Sequence, residues 1–249
     1  MKYPANWSQH LGAALLVLVA SLGTTYWLWQ HENQNVVMER RAQADFNLRS
    51  FLSRIDQRMQ AQEQMLRGIQ GLFAASEAPV TRTVFRDYVT ALKLGADFAG
   101  LEGVGWAPLV TPADRAEHIA TQRQRGLPDY TLTTADTGAA AWAPLTQIEP
   151  GLARHATAIG LDLFADPARH DTMQRARDSG MATITPKLGR LLETGANVKA
   201  GFVMFLPVYQ RGADVSSVDA RRRNLAGWIV APFNMDEWMA SLYGEHAAG

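Results

Sequence analysis

Apolar positions follow two different patterns in the N-terminal part of the chain. From Leu11 to Trp29 no charged residue occurs, and a helix rising about 1.5 Å per residue over this run approaches the roughly 30 Å thickness of a hydrocarbon core. Residues 11–30 are therefore expected to span a membrane. Lys2 and the terminal amine precede the run and Glu32 follows it, which places residues 1–10 in the cytoplasm by the excess of positive charge inside. Tyr26, Trp27 and Trp29 would then lie at the outer interface. A cleaved signal peptide has a similar basic start and apolar core, although no Ala-x-Ala site follows this one.

The second pattern is a heptad stripe. Leu48, Leu52, Ile55, Met59, Leu66, Ile69 and Phe73 recur at alternating steps of four and three, with Gln62 as the polar member of the series. No proline interrupts residues 33–78, so a long stalk helix over 31–77 is expected, ended by Pro79. A 3.5-residue repeat buries one face against a partner helix or against the chain's own domain, and both readings stay open at this point.

Beyond Pro79 the pattern breaks into shorter pieces. Residues 83–94, 112–126 (with Asp114 near its start), 166–179 and 234–243 read as helices, and 103–107 and 130–134 as strands. Asp166-Pro167 is a good helix start, Gly180 is placed for a left-handed C-terminal cap, and Asn234 is suited to an N-cap. The apolar runs at 201–209 and 225–231 flank a polar segment and read as paired antiparallel strands. Arg221, Arg222 and Arg223 in that segment read as a solvated loop or helix face. The expected fold class is α+β: a transmembrane helix, a long stalk helix, then an antiparallel sheet flanked by helices.

Composition narrows the function classes. The chain has 249 residues, 47% of them hydrophobic, and 24 basic residues balance 24 acidic ones. That is enough apolar content for a sizeable core, and the zero net charge supplies no attraction for nucleic acid. Cysteine is absent, so disulfides do not hold the fold.

Chemical motifs are sparse. Asp136-Thr137-Gly138 repeats the aspartic protease triplet, but it occurs once and lacks the apolar strand such a site needs, whereas the same residues suit a turn. Asp166 and His170 have i, i+4 spacing, with His155 and Asp171 nearby, yet Asp166 is better explained as a helix cap. No nucleophile elbow, phosphate loop, dinucleotide fingerprint or cysteine nucleophile occurs. Neither catalysis nor a cofactor or metal is expected.

Behind the apolar run, Gly160-Leu161-Asp162-Leu163, Ala176-Arg177-Asp178-Ser179-Gly180, Pro207-Val208-Tyr209 and Leu225-Ala226-Gly227 occur in order. They are preceded by Gly103-Val104-Gly105-Trp106-Ala107-Pro108 and Ile148-Glu149-Pro150. Taken together, this order resembles the CHASE domain, an extracytoplasmic ligand-sensing domain of histidine kinases and nucleotide or diguanylate cyclases. The resemblance covers roughly residues 85–238, and 78–249 are assigned to the sensory domain.

That resemblance implies a PAS-like sensor, a homodimer through the stalk helix, a periplasmic or extracellular location on the cell membrane, and a small-molecule ligand, adenine-type or another small organic compound. It also implies that this chain is the front portion of a longer receptor, followed by a membrane-proximal module, a second span and an output domain. In plant cytokinin receptors the ligand is held by an Asp, a Leu and a Thr; here the Thr falls on Thr185, the Leu on Gln174 beside Met173, and the Asp near Glu149. Trp106, Phe202, Met204 and Phe205 are candidate walls, and Thr185→Ile is expected to block the site with folding nearly intact. The alternative is a membrane-anchored interaction module whose heptad stripe is the working surface.

Overall fold

In a computed structural model, residues 7–94, 98–134, 138–150, 156–189, 191 and 200–244 are described, with side chains in the first helix described for 15–27, 43 and from 45 onward. The chain divides into two units, Met1–Gln57 and Arg58–Gly249. Helix α1 (Trp7–Ala75) passes from the first into the second. In the first unit Leu15, Leu16, Val17 and Leu22 are exposed, as are Phe46, Leu48 and Leu52. Among the described residues, no helix is long and apolar enough to cross a membrane. The span expected at 11–30 is thus not shown: only 15–27 of it have described side chains, and the remainder lies outside the described set.

The second unit is an α+β layer structure. Strands β1 (Val104–Pro108), β2 (Gln147–Glu149), β3 (Thr183–Ile184), β4 (Leu188–Gly189), β5 (Ala200–Tyr209) and β6 (Leu225–Asn234) form one antiparallel sheet in the order β2-β1-β6-β5-β3, with β4 also on β5. The last strand in sequence therefore lies at the centre of the sheet. The long β5–β6 pair matches the two apolar runs and extends past Ala231 to Gly201↔Asn234.

Prolines are placed where the ladder does not need a donor. The Pro207 carbonyl accepts from Gln70 Nε2 at 2.6 Å, away from β6, so its nitrogen also faces the open side of β5. The Pro232 carbonyl accepts from the Glu102 amide at 2.9 Å, beyond the start of β1.

The helices follow their local signals. Helix α2 (Arg82–Ala91) is capped by Thr81, and α3 (Arg115–Gln124) follows Asp114. Helix α4 (Pro167–Ser179) has Asp166 accepting from the Arg169 amide and ends at Gly180 with φ 74°, a conformation that suits glycine. Helix α5 (Val218–Arg223) is capped by Ser217, and in α6 (Met235–Gly244) Asn234 accepts from the Asp236 amide. The expected strand at 130–134 is a correction: Thr133 makes only an isolated parallel bridge to Leu161. Its partner is a turn-rich loop without extended neighbours, so no ladder propagates.

The sheet separates two packed faces. On one, Ala107, Ile148, Val203, Phe205, Trp228 and Val230 pack with Met173 and Ala176 of α4 and with Leu163. On the other, Trp106 meets Phe73 of α1 at 4.4 Å, Phe202 stacks on Phe233 at 4.8 Å, and Trp238 of α6 contacts Phe202 edge to face. Leu66 and Ile69 of the heptad stripe are fully buried in this unit.

Candidate functional site

The candidate site is a cavity of about 540 Å³ on the α4 face of the sheet. It forms because the chain approaches itself closely at Gly160. This residue has φ +86°, and a Cβ there would lie 2.1 Å from the Thr131 carbonyl oxygen, so only glycine fits. The Gly160 carbonyl accepts from the Thr133 amide and its own amide donates to the Leu145 carbonyl, both at 2.8 Å. This anchorage sets Asp162, whose Oδ1 accepts from the amides of Ala143 and Phe164 and whose Oδ2 accepts from the Thr134 hydroxyl. Phe164 is thereby placed in the cavity wall.

The wall opposite comes from α4 and β6. Phe164 stacks on His170 with ring centres 4.2 Å apart and meets Trp228 edge to face at 5.4 Å. Trp228 is fixed by its indole N–H donating to the Met173 carbonyl at 2.9 Å. The Gln174 amide nitrogen lies 2.9 Å from His170 Nε2; with the amide as donor, the ring nitrogen accepts and its proton sits on Nδ1. Leu109 and Leu225 add apolar wall.

Two guanidiniums complete the lining, Arg177 of α4 and Arg222 of α5. Both bind Asp178: Arg177 through Nε at 2.7 Å, Arg222 through Nε and Nη2 at 3.0 and 2.6 Å. Hydrogen bonds from Arg222 and then Arg177 hold the Asp178 carboxyl well below the usual carboxylate range. Arg221 donates to the Asp178 carbonyl, and Tyr209 donates to the Arg177 carbonyl at 2.6 Å. Burial pushes the Tyr209 phenol up to about 12, so it keeps its proton at neutral pH. A cavity with aromatic walls and a few convergent polar groups is suited to binding a small molecule.

A model of the CHASE domain family matches residues 78–249. The chain belongs to the CHASE domain family. A curated relative, "Hybrid signal transduction histidine kinase A" of Dictyostelium discoideum, is 28% identical over 159 residues, which is 59% of this chain and 7% of that protein. The chain thus spans a small fraction of the relative it matches. CHASE domains are sensory rather than catalytic, and the chain is a sensory module of the kind found in histidine kinases and cyclases.

Three of the ordered motifs line the cavity: Asp162 comes from the first, with Phe164 just after it, Arg177 from the second and Leu225 from the last. Tyr209 of the Pro207-Val208-Tyr209 motif is tied to the wall by donating to the Arg177 carbonyl. Arg222, His170 and Trp228 were not singled out from sequence for ligand contact. The Arg221–Arg223 run, expected to be a solvated loop or helix face, is the last turn of α5 with Arg222 and Arg223 exposed; from it Arg222 also reaches the cavity rim and Arg221 the end of α4.

Residues expected to hold ligand are divided by the sheet. Gln174 lines the cavity, and Met173 beside it is fully buried in the core on the same face. Thr185 also lies on that side but extends the sheet: its amide donates to the Val203 carbonyl and its hydroxyl oxygen accepts from the Val203 amide, both at 3.0 Å. Phe205 is fully buried core. Trp106, Glu149, Phe202 and Met204 point to the opposite face, as the register Trp106↔Gln147, Val104↔Glu149 and Phe202↔Phe233 requires. There Glu149 lies near Arg82, whose guanidinium is pulled down by burial against the opposing field of that carboxylate.

Of the residues weighed for other chemistry, Asp136, Thr137 and His155 lie outside the described residues. Asp166 caps α4 and Asp171 pairs with Arg175. Among the described residues no group of three or more His, Cys, Asp or Glu side chains is placed to hold a metal.

Proposed function

We propose that this chain is the small-ligand sensor of a membrane-bound receptor of the histidine kinase or diguanylate cyclase type, with the ligand in the cavity between α4, α5 and β6. The observation that carries the reading is that the motifs at 160–163, 176–180 and 225–227 all contribute to the lining of that cavity, with the motif at 207–209 hydrogen-bonded to its wall. In this reading residues 11–30 anchor the chain in the cell membrane, the sensory domain is extracytoplasmic, and α1 is a stalk shared by two copies. The exposure of Leu15 to Val19 and Leu22 supports a lipid environment, and that of Phe46, Leu48 and Leu52 supports a partner helix. The PAS-like description of the sheet belongs with this proposal. Occupancy biases the output only through differential affinity for two stalk arrangements.

The test is thermal unfolding of the detergent-solubilised full chain against a panel of planar small molecules that includes adenine derivatives. At one hundred times Kd a ligand adds about 2.7 kcal/mol of stability. A hit that disappears in Ala141→Trp, which fills the cavity, supports the proposal; a hit that survives this variant places the ligand elsewhere and refutes it.

The exposed stripe also favours a second reading, an interaction module without small ligand. Leu48→Asp with Leu52→Asp separates the two: a sensor still binds its ligand as a monomer, whereas an interaction module loses all function with the dimer.

A further inference from the structure

Within that reading of the cavity, we infer that its ligand is an anion, a planar ring bearing a carboxylate that is held by Arg177 and Arg222. The inference rests on which hydrogen-bonding groups of the wall remain open. Asp162 is mostly engaged: Oδ1 receives the Ala143 and Phe164 amides and Oδ2 the Thr134 hydroxyl, which leaves one acceptor position on Oδ2. Its charge is also offset by Arg169, which lies close enough to interact with it. The His170 Nε2 is engaged with the Gln174 amide.

The open groups are of the opposite kind. Arg177 contacts Asp178 through Nε, which leaves both terminal nitrogens without a protein partner among the described residues. Arg222 uses Nε and Nη2, which leaves Nη1. Arg177, Arg221 and Arg222 gather at Asp178, with Asp219 acting on Arg222, so three cations meet two carboxylates and this end of the cavity keeps a net positive charge. A guanidinium is a planar fork that matches a carboxylate with paired hydrogen bonds; the Arg177 side chain is largely covered, whereas Arg222 stands at the exposed rim. Gln174 Oε1, beside the arginines, can take a ring N–H. Beside the arginines, the Phe164–His170 stack and the edge of Trp228 offer flat surfaces for a ring. A donor-rich, acceptor-poor wall beside an aromatic shelf selects for a ring that carries an anionic acceptor.

The experiment is calorimetric titration of the detergent-solubilised full chain with indole-3-carboxylate, its neutral partner indole-3-carboxamide, and a panel of other planar carboxylates. The expected result is binding of a carboxylate at least tenfold tighter than its carboxamide, weakening with added salt. A further loss of at least tenfold is expected in Arg177→Gln, with partial recovery in Arg177→Lys, and binding should be abolished in Ala141→Trp. Equal binding of acid and amide, both lost in Ala141→Trp, overturns the anion inference and leaves the cavity reading intact. Carboxylate binding that survives Ala141→Trp overturns both. No binding by any planar carboxylate, while a neutral ring binds in the cavity, overturns the inference alone; unchanged thermal unfolding of Arg177→Gln confirms that the variant reports on the site.

Discussion

The two faces of the central sheet bear similar numbers of large apolar side chains and are used differently. On the α1 and α6 side, Phe202, Phe233, Trp238, Trp106 and Phe73 meet ring to ring, and every heptad position from Leu66 onward is drawn into the same layer. On the α4 side the strands carry an equally buried set, Val203, Phe205, Trp228 and Val230, but the loop at 139–141 and the Asp162 turn stand away from α4 and leave a cavity. Aromatic content therefore does not locate the site. What marks it is the set of polar groups that have no role in closing the core.

The largest effect that tests this division is on the packed face. Phe233→Ala removes a fully buried ring and should cost about 3–5 kcal/mol, visible as a large fall in Tm, while ligand affinity below that Tm stays as in the wild type. A normal Tm with weakened ligand binding would break the comparison. Next is Thr185→Val, which leaves the buried Val203 amide without its acceptor and should cost about 1–3 kcal/mol in urea unfolding, with Thr185→Ser recovering most of it. The same argument applies to Thr185→Ile, which is therefore expected to lower stability as well. Loss of ligand affinity in Thr185→Val at unchanged stability would instead return Thr185 to the site.

Smaller effects sharpen the cavity side. Asp178→Asn should cost on the order of 1 kcal/mol at pH 7, as befits a partly exposed ion cluster. Because the folded carboxyl is held below its unfolded value of about 3.9, that contribution is present above about pH 4 and lost as pH falls through the folded value. The stability gap between wild type and variant, measured by urea midpoints, should be constant from pH 7 to pH 5 and close only on further acidification. A gap already closed at pH 5 would contradict the depressed carboxyl. Gln174→Leu should change stability least, by less than about 1 kcal/mol, while shifting ligand affinity at least tenfold by calorimetry.

The heptad stripe shows how far periodicity reaches. It announced a helix face that prefers burial, but Leu66 and Ile69 are buried in their own domain while Leu48 and Leu52 are exposed. Burial in the chain's own domain thus accounts for the later part of the stripe. Gln62, its polar member, is itself buried, with neither side-chain polar atom bonded among the described residues, which no propensity would indicate.

Much of the local architecture was legible in the residues themselves: the Asp166–Gly180 helix with its caps, the apolar β5 and β6 runs, the glycine at 160, and the motif order that marks a CHASE domain. These depend on contacts a few residues apart or on the conformational limits of a single residue. Which face each side chain takes was decided by register, since strand neighbours alternate between faces and the pairing of β1 with both β2 and β6 sends Glu149 and Trp106 away from Gln174. Likewise, Arg222 reaches the cavity where α5 meets the end of α4, through its own bonds to Asp178 and that of Arg221 to the Asp178 carbonyl, groups far apart in sequence. Long-range pairing of strands and charges leaves no local trace in sequence, and that is why the tertiary structure alone assembled the site.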